Sequence, residues 1–264
     1  MLDATAETQF IEVGQAPHIR RIAVIATPAD ESAVTVVWLG GYRSDMSGTK
    51  AVALEAQARG LGVNFLRFDY SGHGQSSGHY TDGTISLWLE ESLAVVERFA
   101  SQRLVLVGSS MGGWIALRLV EELRKRGQGS RLAGLVLIAP APDFTSVLIE
   151  PHLTEKERRD IAEKGYFEEK SQYAMEPNRY TRALLDDGRH NLVLGGLIET
   201  GCPVHILQGM KDPDVPYTHA VGIMEKIVGD DAILTLVRDG DHRLSRPEDL
   251  ERIEAAVAAI VANA

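Results

Sequence analysis

A chain of 264 residues, 44% hydrophobic and 24% charged, is long enough for one domain with a large core that buries roughly three quarters of its unfolded surface. Its formal net charge of −10 argues against a nucleic-acid partner, which demands a basic face, and against binding to an anionic membrane surface. No run approaches the ~20 apolar residues of a membrane span, the opening MLDATAETQF lacks the basic and apolar regions of a signal peptide, and the lone Cys202 leaves no internal disulfide, so a cytoplasmic protein is expected.

Apolar and β-branched runs predict strands near 9–13, 21–27, 34–39, 63–68, 103–107, 134–139, 203–208 and 232–237. The earliest lie close together with no helix between them, which predicts an antiparallel hairpin at one edge. From Val34 onward the runs alternate with helical periodicities at about 49–60, 84–100, 112–126, 218–228 and 247–262. That alternation predicts a mostly parallel sheet with helices on both faces, joined by right-handed crossovers. One interval breaks the rhythm: roughly 60 residues separate the strand ending near Ala139 from the one starting at Pro203, too many for a simple crossover. Within it, Thr154 and Glu157 have capping-box spacing ahead of a charged helix through Lys164, and PNRYTRALLDDG reads as a second helix ending at Gly188. Residues 141–202 are therefore expected to form a small helical cap over the C-terminal edge of the sheet, with 1–140 and 203–264 as the core. Tyr166, Phe167, Tyr173, Met175 and Leu194 are candidate pocket residues in that insertion, although most are expected to form its own small core.

Residues 104–114, LVLVGSSMGGW, carry the strongest chemical signal. A buried strand runs into Gly108-Ser109-Ser110-Met111-Gly112 and then into a helix, the context of a G-x-S-x-G nucleophile elbow centred on Ser110. Such a turn forces the serine to positive φ and brings the flanking positions so close that only very small side chains fit. The following helix aims N–H groups at a developing oxyanion. Ser109 is the rival nucleophile, but it lacks a glycine two residues away on both sides.

A serine needs a base, and the base needs an orienting acid. Of eight histidines, His242 lies in VRDGDHRLSRPE between the last strand and the last helix, the terminal place of the base when the order is serine, acid, histidine. His205 sits in an apolar strand, His219 opens a helix, His152 and His190 fall in the insertion, and His18 precedes the second strand. His73 and His79 flank a glycine-rich loop and are candidates to line the site, His73 as a substrate contact. In HILQGMKDPDVPYTHA, both Asp212 and Asp214 compete for the acid, each equally at home as a turn or capping residue. The oxyanion donors are expected from the Met111 amide and from the WLGGYRSD loop, where Gly41 lets the backbone approach substrate and Tyr42 offers its N–H. Gly48-Thr49-Lys50 fails the phosphate-loop spacing, no dinucleotide fingerprint fits, and no histidine or cysteine cluster suggests a metal, so no cofactor is expected.

These pieces together resemble the α/β-hydrolase superfamily over nearly the whole chain, through GGY at 40–42, RFDYSGHGQSSG at 67–78, VGSSMGGW at 107–114, GMKD at 209–212 and DH at 241–242. The likeness is closer to a subgroup described as palmitoyl-protein thioesterases and mycophenolic acid acyl-glucuronide esterases. The resemblance implies a mostly parallel eight-stranded α/β-hydrolase sheet, a Ser110–His242–Asp212 triad with Asp212 preferred to Asp214, and Tyr42 and Met111 at the oxyanion hole. Where the superfamily commonly has His-Gly before the donor, this chain has Gly40-Gly41. The implied substrate is a small ester or thioester, an acylated protein or an acyl conjugate. The alternatives are a serine peptidase or cofactor-free perhydrolase on the same scaffold, or a binding module that hydrolyses nothing.

Overall fold

A computed structural model describes residues 7–29, 34–172, 175–229 and 231–264. Its centre is β5 (Arg103–Ser109), whose run Leu104-Val105-Leu106-Val107 shows why both faces of the sheet are covered. Successive side chains leave a strand on opposite faces, so an uninterrupted apolar run must be buried on both. Leu104 and Leu106 pack with Trp88 of α2 (Ile85–Phe99) and Trp114 of α3 (Met111–Lys125). Val105 and Val107 pack with Leu54 of α1 (Thr49–Leu61) and with Ile253 and Val257 of the last helix (Pro247–Val261).

The main sheet has eight strands in the order β1-β2-β4-β3-β5-β6-β9-β10. Here β1 is Gln9–Val13, β2 Arg20–Thr27, β3 Val34–Leu39, β4 Asn64–Phe68, β6 Leu132–Ile138, β9 Val204–Gly209 and β10 Ala232–Val237. β1 pairs antiparallel with β2 at one edge, as the sequence spacing predicts, and β2 pairs antiparallel with β4; every other pairing is parallel. Parallel strands end together, so the segments after β3, β5, β6, β9 and β10 all emerge at one edge. Leu39 pairs with Gly108 there, and Ser109 with Ile138. β3 lies beside β5 although β4 comes between them in the chain, which makes this the point where the crossovers change direction, the place where open α/β sheets generally bind ligands. No helix among the described residues is long and apolar enough to cross a membrane.

The insertion after β6 carries a hairpin in addition to the helices expected from sequence. It holds α4 (Glu155–Lys164), a two-stranded antiparallel hairpin of β7 (Tyr166–Glu169) and β8 (Asn178–Thr181), and α5 (Arg182–Arg189). The capping box stands: Glu157 N donates to Thr154 Oγ1 and Thr154 N to Glu157 Oε2. The second helix is shorter than PNRYTRALLDDG suggests, because Asn178–Thr181 pair with β7 and Tyr180 stacks against Tyr42. Thr181 then turns the chain into α5 by accepting from Leu184 N. Phe167 is buried and Leu194 half-buried, both against the core that the main sheet shares rather than a separate one, whereas Met175 is fully exposed and Tyr173 lies outside the described residues.

Asp143 clamps the two ends of this insertion. It sits at φ 56 just after β6, buried, and its carboxylate accepts from Val193 N and Leu194 N at the far end of the excursion. Asp143→Ala leaves both amides without an acceptor and is expected to lower the unfolding free energy by about 2 kcal/mol. Asp143→Asn, which keeps an acceptor and tolerates positive φ, is expected to lose less. Urea denaturation of the two variants checks this; equal stability of Asp143→Ala and wild type would contradict it.

Candidate active site

Ser110 is held at φ 55 and ψ −119 between β5 and α3. A non-glycine residue in so sparsely populated a region costs roughly 1–3 kcal/mol and persists only where its surroundings over-determine it. They do so here. Ser110 N donates to Ile138 O at 2.9 Å, and Ser110 O accepts from Gly113 N at 2.9 Å and Ala141 N at 3.1 Å. A Cβ at 108 would stand 2.4 Å from Gly112 O, and one at 112 would stand 2.0 Å from Leu39 O. Those two clearances explain the glycines of the motif: strand, turn and helix pack backbone to backbone. Ser109, the rival, ends β5 with its residue buried.

The elbow presents Ser110 Oγ to His242, 3.0 Å from Nε2. His242 Nδ1 lies 2.7 Å from Asp212 Oδ2. An ionised carboxylate only accepts, so the Nδ1 proton faces it and the Nε2 lone pair faces the serine. The Asp212 side chain is fully buried and is gripped from three further directions: Gln208 Nε2 donates to Oδ2, and Asp214 N and Val215 N donate to Oδ1. Burial alone would raise this carboxyl, but the His242 contact and the two amides outweigh it and hold it below the ordinary carboxylate value. Asp214 is exposed and meets the Asp212 carboxylate through its backbone N–H. The ligand atoms of Asp212, Asp214 and His242 lie within 4.8 Å of one another, but the Asp212–His242 hydrogen bond already engages that pair.

Gly40-Gly41-Tyr42 follows β3 and passes beside the elbow. A Cβ on Gly41 would lie 3.4 Å from Ser110 Cβ and 4.0 Å from its Oγ, so this backbone flanks the nucleophile. Met111 opens α3, where its N–H has no intrahelical acceptor, and among the described residues no acceptor meets the Tyr42 amide. Two undirected amides therefore stand near one hydroxyl, in the helix-terminal field that favours negative charge.

His73 is buried, with both ring nitrogens engaged: Nε2 accepts from Arg43 N at 3.0 Å, and Nδ1 lies 3.1 Å from Ser71 O. It supports the Tyr42 loop from behind. His79 is exposed and contacts Thr81, His205 pairs across to Thr235, and His219 reaches Pro142 O. Three residues at the site have no signature in sequence. Gln208 reads as a residue of an apolar strand, yet it holds Asp212. Lys50, its ammonium pushed down to about 8 by burial and by Arg243, donates to the carbonyl of Arg243 next to the imidazole. Arg43 binds both His73 and the insertion.

Burial, first, lowers the His73 pKa below its ordinary 6.5, so the folded state takes up this proton less readily than the unfolded chain. The stabilisation is complete above the unfolded value and is lost as pH falls through the folded one. His205 and His219 share the direction. Between about pH 7.5 and 5, the melting temperature of His73→Gln is expected to fall less than that of wild type. Parallel slopes would contradict a neutral, buried His73.

The chain matches the Alpha/beta hydrolase family over residues 36–253. It is 33% identical over 217 residues to the palmitoyl-protein thioesterase ABHD10 of Mus musculus, a match that covers 81% of this chain and 71% of that one. Among solved structures it resembles a putative hydrolase from Agrobacterium vitis S4, with TM-score 0.94 and 59% identity over 97% of this chain and 98% of that one. It also resembles mouse alpha/beta hydrolase domain-containing protein 10, with TM-score 0.83 and 28% identity over 97% and 98% of the two chains. Sheet order, elbow and sequence agree: this chain belongs to the alpha/beta hydrolase family.

Proposed function

We propose that the protein is a serine hydrolase that cleaves carboxylic esters or thioesters through an acyl-enzyme. The observation that carries this reading is the continuous chain Asp212–His242–Ser110, 2.7 Å and 3.0 Å, ending on a serine whose backbone strain is maintained by its surroundings. The thioesterase described for the mouse relative supports the same class of bond. Cys202 offers no rival, since burial pushes its thiol up to about 11. A cytoplasmic setting belongs to this reading and is supported by that lone cysteine, while the mouse relative is described as mitochondrial.

In this mechanism Ser110 Oγ attacks the carbonyl carbon as His242 Nε2 takes its proton. The imidazolium that forms is stabilised by Asp212, which stays ionised. The carbonyl oxygen, now an alkoxide, accepts from the Tyr42 and Met111 amides, interactions strongest once the charge has developed. Collapse breaks the bond to the leaving alcohol or thiol, which departs with the proton from His242. Water then attacks the acyl-Ser110 ester, again with His242 as base, and releases the acid. No other group needs to change its protonation state.

Ser110→Ala is expected to lower kcat on a nitrophenyl ester and on an acyl-CoA by roughly 10⁴–10⁶-fold. Because alanine inherits the same backbone strain, its stability should match wild type within about 0.5 kcal/mol. Ser110→Gly should be equally inactive but more stable, by about 1 kcal/mol, since glycine occupies positive φ freely. Steady-state rates and denaturation curves test both halves; a Ser110→Ala variant with substantial turnover would overturn the assignment.

A further inference from the structure

The loop that supplies the Tyr42 amide is tied to the insertion by two consecutive side chains. Gly41 O accepts from Ser44 N at 3.1 Å, closing a turn whose central residues are Tyr42 and Arg43. The Gly41 carbonyl and the Tyr42 N–H belong to one planar peptide unit and point in opposite directions. Whatever fixes this turn therefore fixes the direction of the Tyr42 N–H. Arg43 has φ 58 at the third position of the turn, where a glycine is ordinarily preferred. An arginine kept at a glycine's place suggests work for its side chain.

That side chain grips the insertion. Arg43 Nη1 donates to Pro177 O at 2.8 Å, to Asn178 Oδ1 at 3.0 Å and to Glu176 O at 3.2 Å, and its guanidinium lies 5.0 Å above the Tyr80 ring. Tyr42 OH donates to Arg179 O at 2.6 Å, and its ring stacks on Tyr180 at 5.5 Å and 14°. Five successive residues, 176–180, thus sit on two successive residues of the turn. From below, Arg43 N donates to His73 Nε2. The turn is held between a buried imidazole and the lower edge of the hairpin.

We propose that Arg43, assisted by the Tyr42 hydroxyl, is a latch through which the docked insertion sets the position of the Tyr42 amide. Arg43 is then a positioning residue for the acyl transfer, and the inference rests on the hydrolase reading above. Displacing the hairpin releases the turn, so the oxyanion donor is fully in place only with the insertion seated. Among the described residues the hydrogen bonds of Arg43 go to His73 and to residues 176–178; it acts through the peptide next to it.

Glycine and lysine at position 43 separate the latch from a purely local role in the turn. Arg43→Gly removes the latch and also relieves the positive φ, while Arg43→Lys keeps the strain and part of the grip. The latch predicts that kcat on a short nitrophenyl ester falls roughly 10- to 100-fold in Arg43→Gly, less in Arg43→Lys, with KM little changed. Affinity for an alkyl boronic acid, which forms a tetrahedral adduct, should fall in proportion to kcat. A role confined to the turn predicts the reverse order, with glycine at least as active as arginine. Arg43→Gly within twofold of wild type in kcat overturns the latch. Should that variant not fold, Tyr42→Phe deletes only the hydroxyl, and an unchanged kcat there overturns it equally. A wild type inactive on every ester and thioester sinks the hydrolase reading and the latch with it, whereas an active wild type with an unaffected Arg43→Gly sinks the latch alone.

Discussion

The backbone of Ser110 occupies a region that a residue with a Cβ normally avoids, and the rest of the site follows from that constraint. The strain is sustained because three parts of the chain close on it: Ile138 at the end of the strand beside it with Ala141 just beyond, Gly113 from the helix it begins, and the Leu39 and Gly40 carbonyls against Gly112. Relaxing the serine requires separating β5 from both of its neighbours, each buried to the core. A few kcal/mol of local strain is small against the apolar burial of Trp88, Trp114 and the sheet residues beneath. The geometry of Ser110 is therefore a property of the whole sheet rather than of the loop.

A second consequence concerns where polar groups are allowed. The C-terminal edge of the sheet gathers an imidazole, two undirected amides and a fully buried carboxylate, which apolar surroundings alone would neutralise. Asp212 stays charged because four donors converge on its two oxygens: the ring, the Gln208 amide and two backbone N–H groups. Lys50 steadies the segment that carries the ring, and His73 steadies the turn that carries the Tyr42 amide. Each group of the proposed site thus has a partner whose own conformation is fixed by burial, which is what preorganisation means at the level of side chains.

Much of this was legible in the sequence, and the parts that were not share a cause. The eight main strands show themselves because each is a short apolar run buried on both faces or one, and chain order singles out His242 among eight histidines. Asp212 and Asp214 look alike in sequence, since both favour turns; only the fold shows that the first aims its carboxylate at the ring and the second its amide at the first. The β7–β8 hairpin escaped because Asn178-Arg179-Tyr180-Thr181 is short and half polar, and its strand state comes from pairing and from Tyr42, both distant in sequence. Gln208 and Arg43 escaped for a related reason. A glutamine in an apolar strand and an arginine after a glycine pair gain meaning only from what lies opposite them.

The central claim is that Ser110 Oγ, His242 and the Tyr42 and Met111 amides converge on one reacting carbon. Its most direct test is the crystal structure of the protein after reaction with a small alkyl fluorophosphonate. The account predicts a phosphorus–oxygen bond to Ser110 Oγ and a phosphoryl oxygen about 2.7–3.1 Å from both the Tyr42 and Met111 nitrogens. An adduct on another side chain, or one on Ser110 whose phosphoryl oxygen turns away from both amides, would contradict it.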